Sequence, residues 1–432
     1  MFKKIKNIIS RIDIFLYKVF GSEKKLYFLE NLKEAKIIFS ILNENEKQDQ
    51  VRFVGGCIRK ALCSGNIDDL DLATTLKPEE VKRKLTKANI KVIDTGIRHG
   101  TVTAILSKVK FEITTLRKDI STDGRHANVE FTSDWMEDSL RRDFTINSIY
   151  ADINGKIFDP QDGVTDLQNG KIKFIGLPAE RIQEDYLRIL RYLRFFVQYS
   201  NIDHDTNVIN IIKQNINGLN KISNERIFDE LRKILLVNNV YNLFLHSQTK
   251  EIILNIFPQF KYFERLNKVN NLDKKLKNQY DTCLILALLI VDRSNNHEYF
   301  CYKYKISNEI KDRFKNISEN IENLENKKFY LKENIKKLVY LKGKNNVKDL
   351  LLFSACAINK IEISKVEELI YYIITCKIPQ FPISGDDLKK YGYKTGLALG
   401  KELKLLEKKW IENNFVMDPK IVKKTLEKVK QN

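Results

Sequence analysis

Glycine and proline are scarce, 17 and 7 among 432 residues, which disfavours long structureless linkers and favours helices packed in series. The six cysteines (Cys57, Cys63, Cys283, Cys301, Cys356, Cys376) contain no Cys-x-x-Cys pair and no closely spaced framework, so neither a disulfide scaffold nor a zinc finger is expected. They read as reduced, mostly core thiols of a cytoplasmic protein. Long apolar runs are missing too. The longest, Cys283 to Val291 (CLILALLIV), falls well short of the roughly 20 residues that cross a bilayer, and it reads as a buried helix with no membrane partner. Acid is in deficit: 56 Asp and Glu face 75 Lys and Arg, a formal charge of +19. Such an excess attracts polyanions through counterion release, which makes nucleic acid or an anionic membrane surface the leading partner class. A Lys-rich solvated surface is the alternative that charge alone leaves open.

Charged residues at 30% and hydrophobic ones at 43% exclude wholesale disorder and a fibrous chain, and the length provides for about two to four domains. The opening MFKKIKNIISRIDIFLYKVFG is basic and amphipathic, without an uninterrupted apolar stretch or a small-residue cleavage site. A secretory signal is therefore not expected, whereas an organellar presequence and an ordinary leading helix both fit. From Val51 to Phe158 short β-branched or aromatic runs (VRFV, KVIDTG, TVTAIL, KFEITTL, NVEFT) alternate with helix-like stretches. From Arg181 onward apolar residues recur at three- and four-residue spacing (ILRYLRF, IFDELRKILL, LILALLIV, VKDLLLFSACAI, VEELIYYIITC), an almost continuously helical pattern with no fixed repeat.

The segment RFVGGCIRKALCSGNIDDLDLATT reads as a strand ending in Gly55-Gly56, a helix, and a second strand carrying Asp69-Leu70-Asp71. Residues two apart on a strand face the same side, so Asp69 and Asp71 point together and can share divalent cations while Leu70 packs inward. The glycines let backbone N–H groups approach a phosphate at a helix start, and Arg59, one turn on, neutralises it. Taken singly, a Gly-Gly turn is also a plain strand-to-helix bend and Asp-x-Asp a strand-end cap. Together they describe a nucleotide and two-metal site whose hard oxygen ligands suit Mg²⁺. Glu112, on KFEITTL, has the side-chain type of a third carboxylate, or of a strand-surface ion pair.

In Arg141-Arg142-Asp143 the arginines can clamp a triphosphate or primer backbone and Asn147 can reach sugar or phosphate, with Phe144 and Ile146 alternating into the core. A solvated basic loop is the plain alternative. In EDYLRILRYLR, Asp185 and Arg188 are three apart and share a helix face, as do Arg191 and Arg194. A carboxylate beside a fixed guanidinium fork presents a Watson–Crick-like edge to a base; an i,i+3 surface salt bridge is the other reading. Glu184, beside Asp185, and Arg226, on NERIFDELRKIL, are secondary candidates with Glu112, Arg125, Arg141 and Asp143.

Gly-Gly-x-x-Arg followed by Asp-x-Asp and Ala-Thr resembles the head of the polymerase-β-type nucleotidyltransferases, and RRDFTINSIYAD and IFDPQDGVTDL resemble that group's next signature. RIQEDYLRILRYLRF and ISNERIFDELRKIL are similar to the neck of the class II tRNA nucleotidyltransferase and bacterial poly(A) polymerase family, and ISGDDLKKYGYKTGLALGKELKLLEKKWIENNF to the tail of CCA-adding enzymes. The resemblance implies an α+β fold, a polymerase-β-like nucleotidyltransferase head with a mixed sheet followed by an all-α neck, body and tail. The expected segments are a leading helix at 1–28, the head at 29–170, the nucleotide-selecting neck at 171–240, the body at 241–340 and a tRNA-binding tail at 341–432.

The activity it implies is template-independent addition or repair of the CCA 3′ end of tRNA from CTP and ATP, by two-metal nucleotidyl transfer with Mg²⁺ on Asp69 and Asp71. Gly55, Gly56, Arg59, Arg142, Asn147, Asp185, Arg188, Arg191 and Arg194 would bind the nucleotide, Asp185 and Arg188 by selecting CTP and then ATP. Partners would be the acceptor arm and elbow of tRNA, with tail lysines such as Lys401 to Lys409 on its phosphates. A poly(A) polymerase is the alternative, and a catalytically silent RNA-binding protein a third reading. TTLRKDISTDGRHANVEFTSDW, with Arg117, Asp119, Asp123, Gly124, Arg125 and His126, corresponds to a flexible loop needed to pass from C to A addition, which argues against an enzyme that adds only CC. The five histidines are scattered, with one His-Asp dipeptide at His204-Asp205, so the metal-dependent phosphohydrolase domain of some longer relatives is not expected.

Overall fold

The computed structural model describes residue 26 and residues 32–43, 49–63, 70–97, 100–122, 127–358, 361–390 and 392–417. The leading segment apart from residue 26, Asp69, and the loop residues Asp123 to His126 lie outside them. The chain divides into two compact units, Met1–Asn238 with Leu245–Ile252, and Asn239–Phe244 with Ile253–Asn432.

In the first unit the β-branched runs become β1 (Val51–Val54), β2 (Leu70–Thr74), β3 (Lys91–Gly96), β4 (Thr101–Leu106) and β5 (Val109–Thr115), joined by β6 (Arg117–Thr122), β7 (Ala127–Phe131), β8 (Tyr150–Ala151) and β9 (Ile157–Phe158). Seven of them form one sheet in the order β3-β4-β5-β2-β1-β8-β9, and β6 and β7 pair as a separate hairpin. The β2–β5 pair is parallel and its neighbours are antiparallel, so the sheet is mixed. Strand alternation sorts its two faces. Val51, Phe53, Leu70, Leu72, Phe111 and Ile113 pack with Ile38, Phe39, Cys57, Ile58, Val81 and Leu85 of α1 (Lys33–Leu42), α2 (Gly56–Leu62) and α3 (Pro78–Lys87). The intervening Val54, Ala73 and Tyr150 belong to a smaller cluster with Leu116, flanked by Trp135 and Phe158. Local chemistry sets α3: Pro78 opens it, Glu79 and Glu80 lie in its first turn and Lys84 and Lys87 in its last, complementing the helix dipole.

Helices follow: α4 (Trp135–Leu140), α5 (Gly163–Gln168), α6 (Pro178–Glu184), α7 (Arg188–Tyr199), α8 (Thr206–Asn215) and α9 (Asn224–Leu235). The side chains of Asp134, Asp205 and Ser223 cap α4, α8 and α9. After α10 (Ser247–Ile256), the second unit carries α11 (Arg265–Asn270), α12 (Lys274–Lys277), α13 (Thr282–Ile290), α14 (Asn296–Lys303), α15 (Asn308–Leu324), α16 (Lys332–Lys342), α17 (Lys344–Ala357), α18 (Ile363–Thr375), α19 (Gly385–Lys390) and α20 (Leu397–Glu412). The apolar run at Cys283 forms α13, buried from Cys283 through Ile290 against α17, as a helix apolar all round must be. Among the described residues no helix is long and apolar enough to cross a membrane.

Candidate active site

Leu70 and Leu72 turn into the helical layer, so Asp71 between them takes the opposite face of β2, half-buried. Its register partner on the parallel strand β5 is Glu112, and paired positions carry their side chains on the same side of a sheet. Glu112 is exposed and pairs with Lys110 at 2.5 Å. Gly56 stands over the same place, since a Cβ there would lie 3.5 Å from Asp71 Oδ2. Gly55 makes the turn at φ +66°, which disfavours any other residue, and donates its N–H to Ile149 O at 3.1 Å. Beneath, the Cys57 thiol donates to Val54 O and Asp71 O; burial, then the Asp71 charge, push its pKa up to about 11, so it stays protonated and unreactive. Asp69, the expected companion of Asp71, lies outside the described residues. The carboxylate oxygens of Asp71 and Glu112 are the donor type that Mg²⁺ takes.

Arg59, expected to face a phosphate, is only 7% exposed. Its guanidinium donates to Asn147 Oδ1 and lies over the rings of Phe195 and Tyr199, at 4.6 and 5.2 Å, while its buried Nε has no partner. Asn147 donates in turn to Asp143 Oδ1 at 2.7 Å, and Asp143 Oδ2 receives the Arg191 guanidinium at 2.5 and 2.6 Å. A line of contacts therefore runs from α2 through Asn147 and Asp143 to α7. Burial alone would raise the Asp143 pKa; Arg191, the Asn147 hydrogen bond and the charge of Arg188 outweigh it and hold the carboxyl down at about 2.

Arg141 and Arg142 are tied to one carboxylate that sequence reasoning missed. Asp138, fully buried on α4, accepts from Arg141 at 2.6 Å, from Arg142 at 2.9 Å and from Tyr150 Oη at 2.7 Å. Burial opposes its ionisation, yet the two guanidinium groups keep it well below the usual carboxylate range. Its place three and four residues before the arginines on a helix was a readable signal. Phe144 and Ile146 are buried as expected, but not by strand alternation: a 3₁₀ turn, Thr145–Asn147, brings all four residues inside. The polar pair is satisfied there, Thr145 by Lys173 O and Asp166, Asn147 by Arg59 and Asp143, which lets a turn replace a strand.

Asp185 and Arg188 do not share a helix face: α6 stops at Glu184, Asp185 is extended at φ −151°, and α7 starts at Arg188. The Asp185 side chain accepts from Leu187 N at 3.1 Å and its carbonyl from Arg188 N at 3.0 Å, so this residue starts a new helix rather than continuing the old one. Its other oxygen pairs with Arg226 of α9 at 2.8 Å, whereas Arg188 pairs with Glu184 at 2.7 Å and donates to Arg181 O. Glu184 also receives Arg181, whose guanidinium reaches the carbonyls of Arg141 and Arg142. Arg191 and Arg194 lie on α7 as expected, but serve different carboxylates, Asp143 and, at 2.6 Å, the buried Glu230 of α9. Glu230 carried no local signal, since it lies 36 residues from Arg194. Arg125 lies outside the described residues.

Residues 51–173 match the family described as the poly A polymerase head domain, and residues 203–264 that of the probable RNA and SrmB-binding site of polymerase A. The mouse (Mus musculus) protein named CCA tRNA nucleotidyltransferase 1, mitochondrial, is 33% identical over 421 residues, covering 94% of this chain and 92% of its own. The CCA-adding enzyme of Lactobacillus helveticus is 31% identical over 403 residues, covering 87% of this chain and 92% of its own. The crystal structure of the Bacillus stearothermophilus CCA-adding enzyme in complex with CTP superposes with a TM-score of 0.71 at 22% identity, over 92% of this chain and 98% of that one.

Proposed function

The chain belongs to the CCA tRNA nucleotidyltransferase family, and from that premise we propose that it builds and repairs the CCA 3′ end of tRNA from CTP and ATP without a nucleic-acid template. The observation that carries this reading at the site is the line of contacts from the Gly55–Gly56 turn through Arg59, Asn147 and Asp143 to Arg191, because it couples a phosphate-binding turn to the helix that begins at the base-reading Arg188. The tRNA 3′-hydroxyl attacks the α-phosphorus of the bound triphosphate, the bond to the β-phosphate oxygen breaks, and pyrophosphate leaves. Asp69 and Asp71, with Glu112 beside Asp71, would hold two Mg²⁺ ions, which would supply hydroxyl activation and neutralisation of the leaving group.

The chain's own groups do the rest. Gly55 and Gly56 admit the triphosphate close to the backbone, where Arg59 adds positive charge. Asp138 fixes Arg141 and Arg142 toward the phosphates and primer, and Asn147 orients through Asp143. Asp185 and Arg188 read the base edge; the partners they now hold, Arg226 and Glu184, keep an acceptor and a guanidinium fork in defined places until a base competes for them. We assign residues 29–170 to the head, 171–240 to the neck, 241–340 to the body and 341–432 to the tail, with 1–28 leading. Lys401, Lys404 and Lys408 are exposed at i, i+3, i+7 spacing on α20, opposite the buried Leu406 and Trp410, a face suited to tRNA phosphates at the acceptor arm and elbow. The six free cysteines, four of them buried, suit a reducing compartment such as the cytoplasm.

The test is gel-resolved extension of tRNAs ending at the discriminator base, at C and at CC, with CTP, ATP or both, beside an unrelated RNA. Growth that stops at CCA, on tRNA alone, is expected. The match of residues 51–173 to a poly A polymerase head favours one second reading, a poly(A) polymerase; a long A tail on either RNA establishes it and removes the first.

A further inference from the structure

Three guanidinium groups converge on one ring. Phe195 of α7 is fully buried, and Arg194, Arg59 and Arg191 lie 4.1, 4.6 and 5.6 Å from its centroid. Two come from its own helix; the third comes from α2, at the Gly55–Gly56 turn. Burial first, then the charges of Arg191 and Arg59, outweigh Glu230 and lower the pKa of Arg194, as expected for cations gathered so closely. Asp143 answers Arg191 and Glu230 answers Arg194. Arg59 meets a neutral amide oxygen instead, that of Asn147, and among the described residues no carboxylate. What keeps its charge in the interior is the electron-rich faces of Phe195 and Tyr199. Phe144, edge-on to Phe195 at 5.5 Å and 78°, fixes the tilt of that ring.

We propose that Phe195 is a positioning residue for nucleotide binding: by holding Arg59 of α2 and the arginines of α7 against one ring, it sets the spacing between the turn that receives the triphosphate and the helix that reads the base. This rests on the roles assigned to those two elements above. It adds to them a reason why phosphate binding and base selection are coupled. A triphosphate brings the negative charge that Arg59 lacks, and drawing Arg59 toward it loads the same ring that orients Arg191 and Arg194.

Full-length Phe195→Leu and Tyr199→Leu are compared with the wild type for CTP and UTP incorporation into tRNA ending at the discriminator base, with KM and kcat determined separately. Leucine keeps the site apolar and removes the ring face. The KM for CTP is expected to rise about tenfold in Phe195→Leu and about threefold in Tyr199→Leu, with the preference for CTP over UTP falling by similar factors and kcat changing less. A residue that merely fills the core changes the active fraction, and so kcat, and leaves both KM and the CTP-to-UTP ratio at their wild-type values; that result overturns the proposal. If thermal melting shows that Phe195→Leu does not fold, Tyr199→Leu decides by the same criterion, its ring being half-buried and its removal milder. A wild-type enzyme that adds no C refutes the functional reading instead, and the KM of the triphosphate it does incorporate then judges Phe195.

Discussion

Asp143→Asn removes one charge from the line that joins α2 to α7 and leaves the shape in place. In the folded chain the carboxyl is held at about 2 against an ordinary 3.8, and each unit of such a shift corresponds to roughly 1.4 kcal/mol, so the ionised carboxylate contributes about 2 kcal/mol to stability at neutral pH. The sign follows from the direction: with the folded pKa below the unfolded one, the contribution is complete above pH 3.8 and is lost as the pH falls toward 2. The substitution also takes the counter-charge from the partly exposed Arg191 guanidinium, whose hydrogen bonds of 2.5 and 2.6 Å both end on Asp143 Oδ2; water can reach that group, so the total stays near the same figure.

The assay is urea unfolding at pH 7 of the wild type, Asp143→Asn, Arg191→Met and the double variant. The chain has two tryptophans, Trp135 in the first unit and Trp410 in the second, so in a Trp410→Phe background the fluorescence reports the first unit alone. The double-mutant cycle should return a coupling of about 2 kcal/mol. Additive losses, with a coupling below about 0.5 kcal/mol, would refute the claim that this pair joins the two elements.

Asp71→Ala is expected to abolish nucleotide incorporation while tRNA affinity, read by gel shift, stays within about twofold of wild type; undiminished incorporation rules out Asp71 as a metal-holding carboxylate. Replacing Lys401, Lys404 and Lys408 together with alanine should flatten the plot of log affinity for tRNA against log salt by about 2 to 3, and an unaltered slope would remove this face of α20 from the contact. His204 is buried between Tyr192, Phe196 and Thr249; burial, then the charge of His246, outweigh Asp203 and hold its pKa down at about 4. Stability from the neutral ring is therefore complete above pH 6.5 and lost as the pH falls toward 4, so the melting temperature of the wild type should drop across that window more steeply than that of His204→Gln, and equal slopes would contradict the assignment.

What the sequence made legible was what is decided within one element. Strand alternation put Asp71 opposite Leu70 and Leu72, three- and four-residue spacing marked α7, α9, α13, α17 and α18, and the Gly55–Gly56 turn stood where backbone strain requires glycine. Asp138 was within reach of the same rules. What stayed hidden is decided between elements: Glu230 for Arg194, Asp143 for Arg191 and Arg226 for Asp185 are pairings across 36, 48 and 41 residues, and periodicity carries no information about them.

The break at Asp185 shows the two levels in conflict. Locally EDYLRILRYLR is an unbroken helical pattern, and intrinsic preference for the helix is worth only tenths of a kcal/mol per residue. A single carboxylate that caps Leu187 with one oxygen and meets Arg226 with the other gains more than the intrahelical bond it gives up. The chain therefore breaks its helix at Asp185. A helix running straight through would have put Asp185 and Arg188 in each other's reach; by separating them the fold gives each a different protein partner, Arg226 for Asp185 and Glu184 for Arg188.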